Sequence, residues 1–171
     1  MNRYFSKVGV VGIIIALVTI SFCFSALAAE KMKVAYTSKS GKMISETKIS
    51  SPKDHNNEIS QWVRSNIITE HTDPNFIGTE SIIYVQTEYL NNGSGGKARG
   101  YTSIRGKDGD FIYIKWDHNM RFNEGGGVDT ESSHQYIGGT GKYSNIKGNA
   151  VCKGLATAAG ETTKCEGEWE L

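Results

Sequence analysis

No run of basic residues occurs anywhere in this chain of 171 residues, whose 19 Lys and Arg stand against 18 Asp and Glu. Without a positive stripe or patch, nucleic acid and anionic membrane surfaces have no electrostatic claim on the protein, and neither is expected as a partner. Cysteine is scarce, at three residues, and none belongs to a Cys-x-x-Cys pair that would suggest zinc. The strained Gly-x-Ser-x-Gly elbow of a serine hydrolase is also missing. Gly138-Gly139-Thr140-Gly141-Lys142 imitates the end of a phosphate-binding loop. That loop needs a glycine five positions before its Gly-Lys pair and a Ser or Thr after the lysine, and Tyr136 and Tyr143 stand there instead. Proline is down to two residues, no repeat of fixed period is visible, and no linker separates a second domain.

The N-terminus reads as a targeting segment. Arg3 and Lys7 precede an apolar stretch from Val8 to Phe24, and Ala26-Leu27-Ala28 offers the small residues a signal peptidase requires. Residues 1–28 are therefore expected to be a signal peptide and 29–171 one exported domain, periplasmic or secreted, without a lasting membrane anchor. Phe22 before Cys23 argues against lipidation. Cleavage removes two of the basic residues and none of the acidic ones, leaving the domain close to neutral. It also removes Cys23, so Cys152 and Cys165 remain as an even pair in an oxidising compartment, which predicts a disulfide.

Twenty glycines and many β-branched and aromatic residues predict short strands with tight turns. Lys31 to Thr37 alternates, and a turn at Ser40-Gly41 is expected to lead into a second strand over 42–49. Residues 50–57 read as a loop. Ile59 to Ile68 fits a helical stripe and a strand about equally, and is read as extended. Ser81 to Tyr89 alternates well, and Asn91 to Gly96, which contains the sequon Asn92-Gly93-Ser94, is a connection. Tyr101–Arg105 and Asp110–Asp117 form a hairpin through Gly106-Lys107-Asp108-Gly109. In the last strand Glu166, Glu168 and Glu170 alternate with Cys165, Gly167 and Trp169, giving one wet face and one dry face. The glycines of residues 138–148 imply a kink or bulge.

These residues also carry a family resemblance. Gly100-Tyr101, Lys107-Asp108-Gly109-Asp110, Gly138-Gly139-Thr140-Gly141-Lys142-Tyr143 and Ile146-Lys147-Gly148 resemble the pattern of allene oxide cyclase-like and dirigent-like proteins. Pro52-Lys53-Asp54-His55 and Glu58-Ile59 are similar to the preceding loop and strand of bacterial exported members. The resemblance spans most of residues 29–171, with its specific motifs in the C-terminal half. It implies an all-β fold, a single antiparallel eight-stranded, calycin-like β-barrel with an enclosed lumen. Plant members cyclise an oxylipin epoxide or guide radical coupling of phenols. None of their catalytic residues matches a position here, so the resemblance carries the fold and no activity.

Candidate sites are few. His55 with Glu58, His71 with Asp73, and Asp117 with His118 each supply at most two metal ligands, too few for a defined site, and no metal or cofactor is expected. Ile112, Ile114 and Trp116 share one face of a strand, and His118 continues it. If that face looks inward, an imidazole stands at the mouth of a barrel with an apolar wall. Three classes of function follow. They are an exported protein binding a small apolar or aromatic molecule in its lumen, a cyclase or isomerase acting there, and a barrel filled with side chains that serves as an interaction module of the envelope.

Overall fold

The computed structural model describes residues 30–50, 58–90 and 95–171. The expected signal peptide with Cys23, the Pro52–His55 motif and the Asn92 sequon lie outside those residues.

Period-two alternation organises the chain. Among the described residues it produces eight strands, β1 (Met32–Ser50), β2 (Glu58–His71), β3 (Glu80–Leu90), β4 (Gly95–Arg105), β5 (Phe111–Phe122), β6 (Val128–Gly139), β7 (Lys147–Thr157) and β8 (Gly160–Glu170). Each pairs antiparallel with the next, and β8 returns to β1, closing a barrel. Closure leaves no unpaired sheet edge, so many short, Gly-rich strands coexist without offering a template for aggregation. The fold is thus the all-β eight-stranded antiparallel barrel expected.

One local expectation is corrected. Ser40-Gly41 makes no turn, and β1 runs on as a single strand of 19 residues with register shifts at Ser40/Met43 and Met43/Ser45. Gly41 serves close approach instead. A Cβ there would stand 2.8 Å from the backbone oxygen of Ser65 on β2, so the glycine lets two strands crowd together where the chain bulges. The ambiguous stretch 59–68 is extended, within β2.

The two ends of the barrel differ. At one end the β2–β3 and β6–β7 connections each contain a short 3-10 turn, Pro74–Phe76 and Gly141–Tyr143. These turns fold Phe76 and Tyr143, both 0% exposed, into the barrel with their rings 5.2 Å apart. Burying two such side chains contributes about 2–3 kcal/mol each. Ile104, Ile112, Ile146 and Trp169 are buried in the same core. Side-chain hydrogen bonds then lace three connections together. Tyr143 Oη donates to Asp73 Oδ2, Asn75 Oδ1 accepts from the Asp108 amide at 3.1 Å, and Thr140 Oγ1 accepts from the Phe111 amide at 2.8 Å and donates to Asp110 Oδ1 at 3.1 Å.

The glycine-rich stretch is the hinge of this plug. β6 bulges opposite Tyr113/Ile114, and the chain then turns through Gly141 at φ +51°. Glu166 and Glu168 are exposed while Trp169 is buried, as the alternation of β8 requires. Cys152 and Cys165 are direct cross-strand partners and are bonded as a disulfide inside the barrel.

Gly141→Val is expected to destabilise the protein by roughly 2 kcal/mol or more, because a branched residue is strained at positive φ. Its Cβ would also fall 2.1 Å from the Asp110 carboxylate. Urea denaturation measures this, and an unchanged midpoint would remove the plug from its structural role.

Candidate functional site

Because one end is plugged, the space left inside the barrel lies toward the other end. It is a cavity of about 190 Å³, somewhat larger than the ~150 Å³ apolar cavities that accept a single benzene. Trp62, Ile68, Ile83, Ala98, Trp116, Met120 and Val128 supply apolar wall. The indoles are fixed by threonines of the same lining, with Trp62 Nε1 donating to Thr87 Oγ1 at 3.1 Å and Trp116 Nε1 to Thr102 Oγ1 at 3.0 Å. Each tryptophan therefore meets the cavity with its N–H already satisfied.

The residues expected from the sequence divide between the two halves. Trp116 and His118 line the cavity. Ile112 and Ile114 share their face, as alternation requires, but both are 0% exposed and stand outside the cavity lining, so they support the core and not the cavity. His118 packs its ring edge-on to Trp116, centroids 5.8 Å apart. Burial holds its pKa below the ordinary imidazole range, and Arg64 adds to that while Glu161 opposes it.

Several polar residues of the cavity carry no apolar signal in the sequence. Arg64 and Glu161, on β2 and β8, form an ion pair that is largely enclosed. Thr163 donates to Glu161 Oε1 at 3.3 Å, and the Arg64 guanidinium lies 5.0 Å from the centre of the Trp62 ring. Asn66, next along the inward face of β2, is 3% exposed. Neither Arg64 Nε nor Asn66 Oδ1 has a hydrogen-bond partner among the described residues. The β2 alternation is masked by Ile59 and Ile67, which face outward at 37% and 40% exposure. Reading every second residue from Trp62 would have placed Arg64 and Asn66 inside.

On the opposite wall four inward residues form a belt across adjacent strands, with Ser132 paired to Cys152, Cys152 to Cys165, and Cys165 to Tyr36. His134 spans it. Its Nδ1 is 2.8 Å from Tyr36 Oη and its Nε2 is 3.2 Å from Ser132 Oγ. With Tyr36 donating to Nδ1, the Nε2 proton is left for Ser132. Burial, with His118 nearby, lowers the His134 pKa to about 4 and burial raises that of Tyr36, so imidazole and phenol are both neutral near pH 7. His134 was not singled out by sequence, although alternation with Ser132 and Tyr136 marks its face.

Among the described residues neither the His71–Asp73 nor the Asp117–His118 pair gathers the third ligand that a metal site needs. His71 Nδ1 accepts the Asp73 amide at 2.9 Å, while the Asp73 carboxylate takes the Asn75 amide and the Tyr143 hydroxyl. Asp117 and His118 point to opposite faces of β5, outward and inward. His55 is outside the described residues. His134 and the two cysteine sulfurs do lie within 4.8 Å of one another. As a disulfide, however, the sulfurs are not thiolates, and one imidazole alone holds no structural ion.

No protein-family model matches the chain, and no curated protein matches it. Among solved structures, a pterocarpan synthase dirigent protein is similar over 86% of this chain and 89% of its own, at 8% identity and a TM-score of 0.48. That likeness carries no argument about ligand or activity, and the barrel is established by its own strand register.

Buried histidines make stability depend on pH. Burial lowers both His71 and His134 to about 4, against 6.5 for an unperturbed side chain. Between those values the unfolded chain binds more protons, so stability is fully present above pH 6.5 and is lost as pH falls toward 4. Moving from pH 7 to 5 should cost about 2 kcal/mol per histidine, read from urea midpoints. His134→Gln should remove that residue's share and leave those of His71 and His118, and a flat profile in the wild type would contradict it.

Proposed function

We propose that this protein is an exported small-molecule binder that takes up a compact, mainly apolar or aromatic ligand in the open half of its barrel. The observation that carries this reading is the cavity of about 190 Å³ walled by Trp62, Trp116, Ile83, Ala98 and Met120, with a few polar groups among them. Binding pockets are mostly apolar with few placed polar groups, and this lining has that composition. His118 serves as one orienting group, through a ring nitrogen that is neutral near pH 7. Trp116 forms the wall beside it, with Ile112 and Ile114 backing that wall from the core. The size selects a single ring over a long acyl chain.

Binding is favoured over catalysis. A cyclase or isomerase needs a group poised to exchange a proton near the working pH. Here burial depresses both cavity histidines and raises Tyr36, which favours the neutral form of each near pH 7. A barrel serving as a filled interaction module would have no use for the space between its tryptophans. Membership in the allene oxide cyclase-like and dirigent-like group is proposed on the Gly100-Tyr101 and Gly138–Tyr143 motifs. Export is proposed on the N-terminal targeting pattern, and the disulfide supports it, since such bonds persist in oxidising compartments.

Tryptophan fluorescence of residues 29–171 titrated with phenol and with decanoate tests the reading. Phenol should give saturable quenching and decanoate none. Ala98, 8% exposed on the cavity wall, provides the control, because Ala98→Leu fills the space. That variant should weaken phenol binding at least tenfold, about 1.4 kcal/mol, with stability unchanged or raised. Equal binding by wild type and variant would place the ligand outside the lumen, and silence with every probe would overturn the proposal.

A further inference from the structure

Many polar groups around the cavity hold one another, while two fully buried atoms of its lining have no partner among the described residues. The Trp62 and Trp116 indoles are held by Thr87 and Thr102, Thr163 is held by Glu161, and Ser132 and Tyr36 are held by His134. Arg64 uses a terminal nitrogen on Glu161 but leaves Nε without an acceptor, and Asn66 Oδ1 lacks a donor. These two residues occupy successive inward positions of β2, roughly 6.6 Å apart along the strand. One orphan is a donor and its neighbour an acceptor. A buried polar group without a partner costs the fold free energy, so such pairs are rare unless something else completes them.

Charge narrows what could complete them. The Arg64 guanidinium is balanced by the Glu161 carboxylate, so the formal charge facing the cavity is zero. A charged ligand would lose its hydration and find no counter-ion free to replace it. Size narrows it further, to about one ring.

We infer that the lumen's ligand is an uncharged single-ring molecule carrying a group that both donates and accepts a hydrogen bond, held between Arg64 and Asn66. The inference rests on the lumen being the binding site. The ligand's donor goes to Asn66 Oδ1 and its acceptor takes the Arg64 Nε–H, while the ring lies against Trp62 and Trp116. Both atoms are enclosed in the ligand-free fold, so the Asn66 amide turns about its soft terminal torsion and the Arg64 side chain shifts with it to bring oxygen and Nε to the cavity face. A hydroxyl and a carboxamide share this chemistry, and both Arg64 and Asn66 are cavity-lining residues that ligand binding would satisfy.

The test is a calorimetric titration of residues 29–171, disulfide intact, with five probes of equal ring size. Benzamide and benzyl alcohol carry the paired group, toluene lacks it, and benzoate and benzylamine are charged. At least one of the first two should bind tenfold or more tighter than the other three, and whichever leads identifies amide or hydroxyl. Asn66→Leu, which removes the orphan acceptor, should reduce that preference to within about twofold while toluene binding persists or improves. If Asn66→Leu does not fold, the order of affinities in the wild type decides alone. Toluene equalling benzamide and benzyl alcohol would mean that water or nothing engages the two groups, and a charged probe binding tightest would refute a neutral ligand. Either result overturns this inference while leaving lumen binding intact, whereas failure of all five probes overturns both.

Discussion

The Tyr143 hydroxyl, buried at the closed end and donating to Asp73, is the contact on which the rest of the barrel's organisation depends. Asp73 and Tyr143 are 70 residues apart in sequence. Their hydrogen bond joins the two 3-10 turns, and Asn75 extends the join to the hairpin at Asp108. An eight-stranded barrel has an interior just wide enough to be filled by side chains or to hold one small ligand. This chain does both, in different halves. The turns carry Phe76 and Tyr143 inward at one end, where Trp169, Ile112 and Ile146 complete a dry core. With hydrophobic packing concentrated there, the opposite half tolerates unfilled space.

The polar content of that open half follows the same logic. Threonines bonded to the indoles, the Arg64–Glu161 pair and the Tyr36–His134–Ser132 chain satisfy one another within the barrel. Breaking any of them to seat a ligand would expose the cost of a buried unpaired group. The lining is therefore mostly fixed, and specificity falls to the atoms with spare capacity, which are few. The disulfide stiffens the wall beneath His134, because Cys152 and Cys165 sit in the same belt as its two partners.

Much of this was legible from sequence. Alternation placed Trp169 inward on β8 and put Ile112, Ile114 and Trp116 on one face of β5, and the cysteine pairing followed from parity. The barrel and the closing of β8 on β1 came through the family resemblance, since period-two patterning has no term for long-range pairing. Ser40-Gly41 misled because a glycine that permits a turn equally permits two strands to touch, and the deciding contact, Ser65, lies on another strand. Arg64, Asn66 and Glu161 were missed because interior positions were sought among apolar residues. A satisfied ion pair or an enclosed amide shows no such signature, and the outward isoleucines of β2 pointed to the wrong face. His118 was found because three apolar residues led to it. His134 was not, since serine and glutamine flank it.

The glycine-rich stretch of residues 138–148 shows how local and long-range constraints meet. From sequence it promised a bend and no chemistry. In the fold the bend is what delivers Tyr143 to Asp73 and Thr140 to Asp110, so a backbone feature on β6 determines which end of the barrel is sealed. Through Tyr143 the stretch packs on Phe76 and Trp169, and the cavity's residues are not among its stacking partners. They are nonetheless positioned by it, because in a closed barrel every strand's register is fixed by both neighbours and an error in one propagates around the ring. The structural motif and the open half of the barrel are two consequences of one closure, which is why the most conspicuous sequence feature lies at the end opposite the cavity.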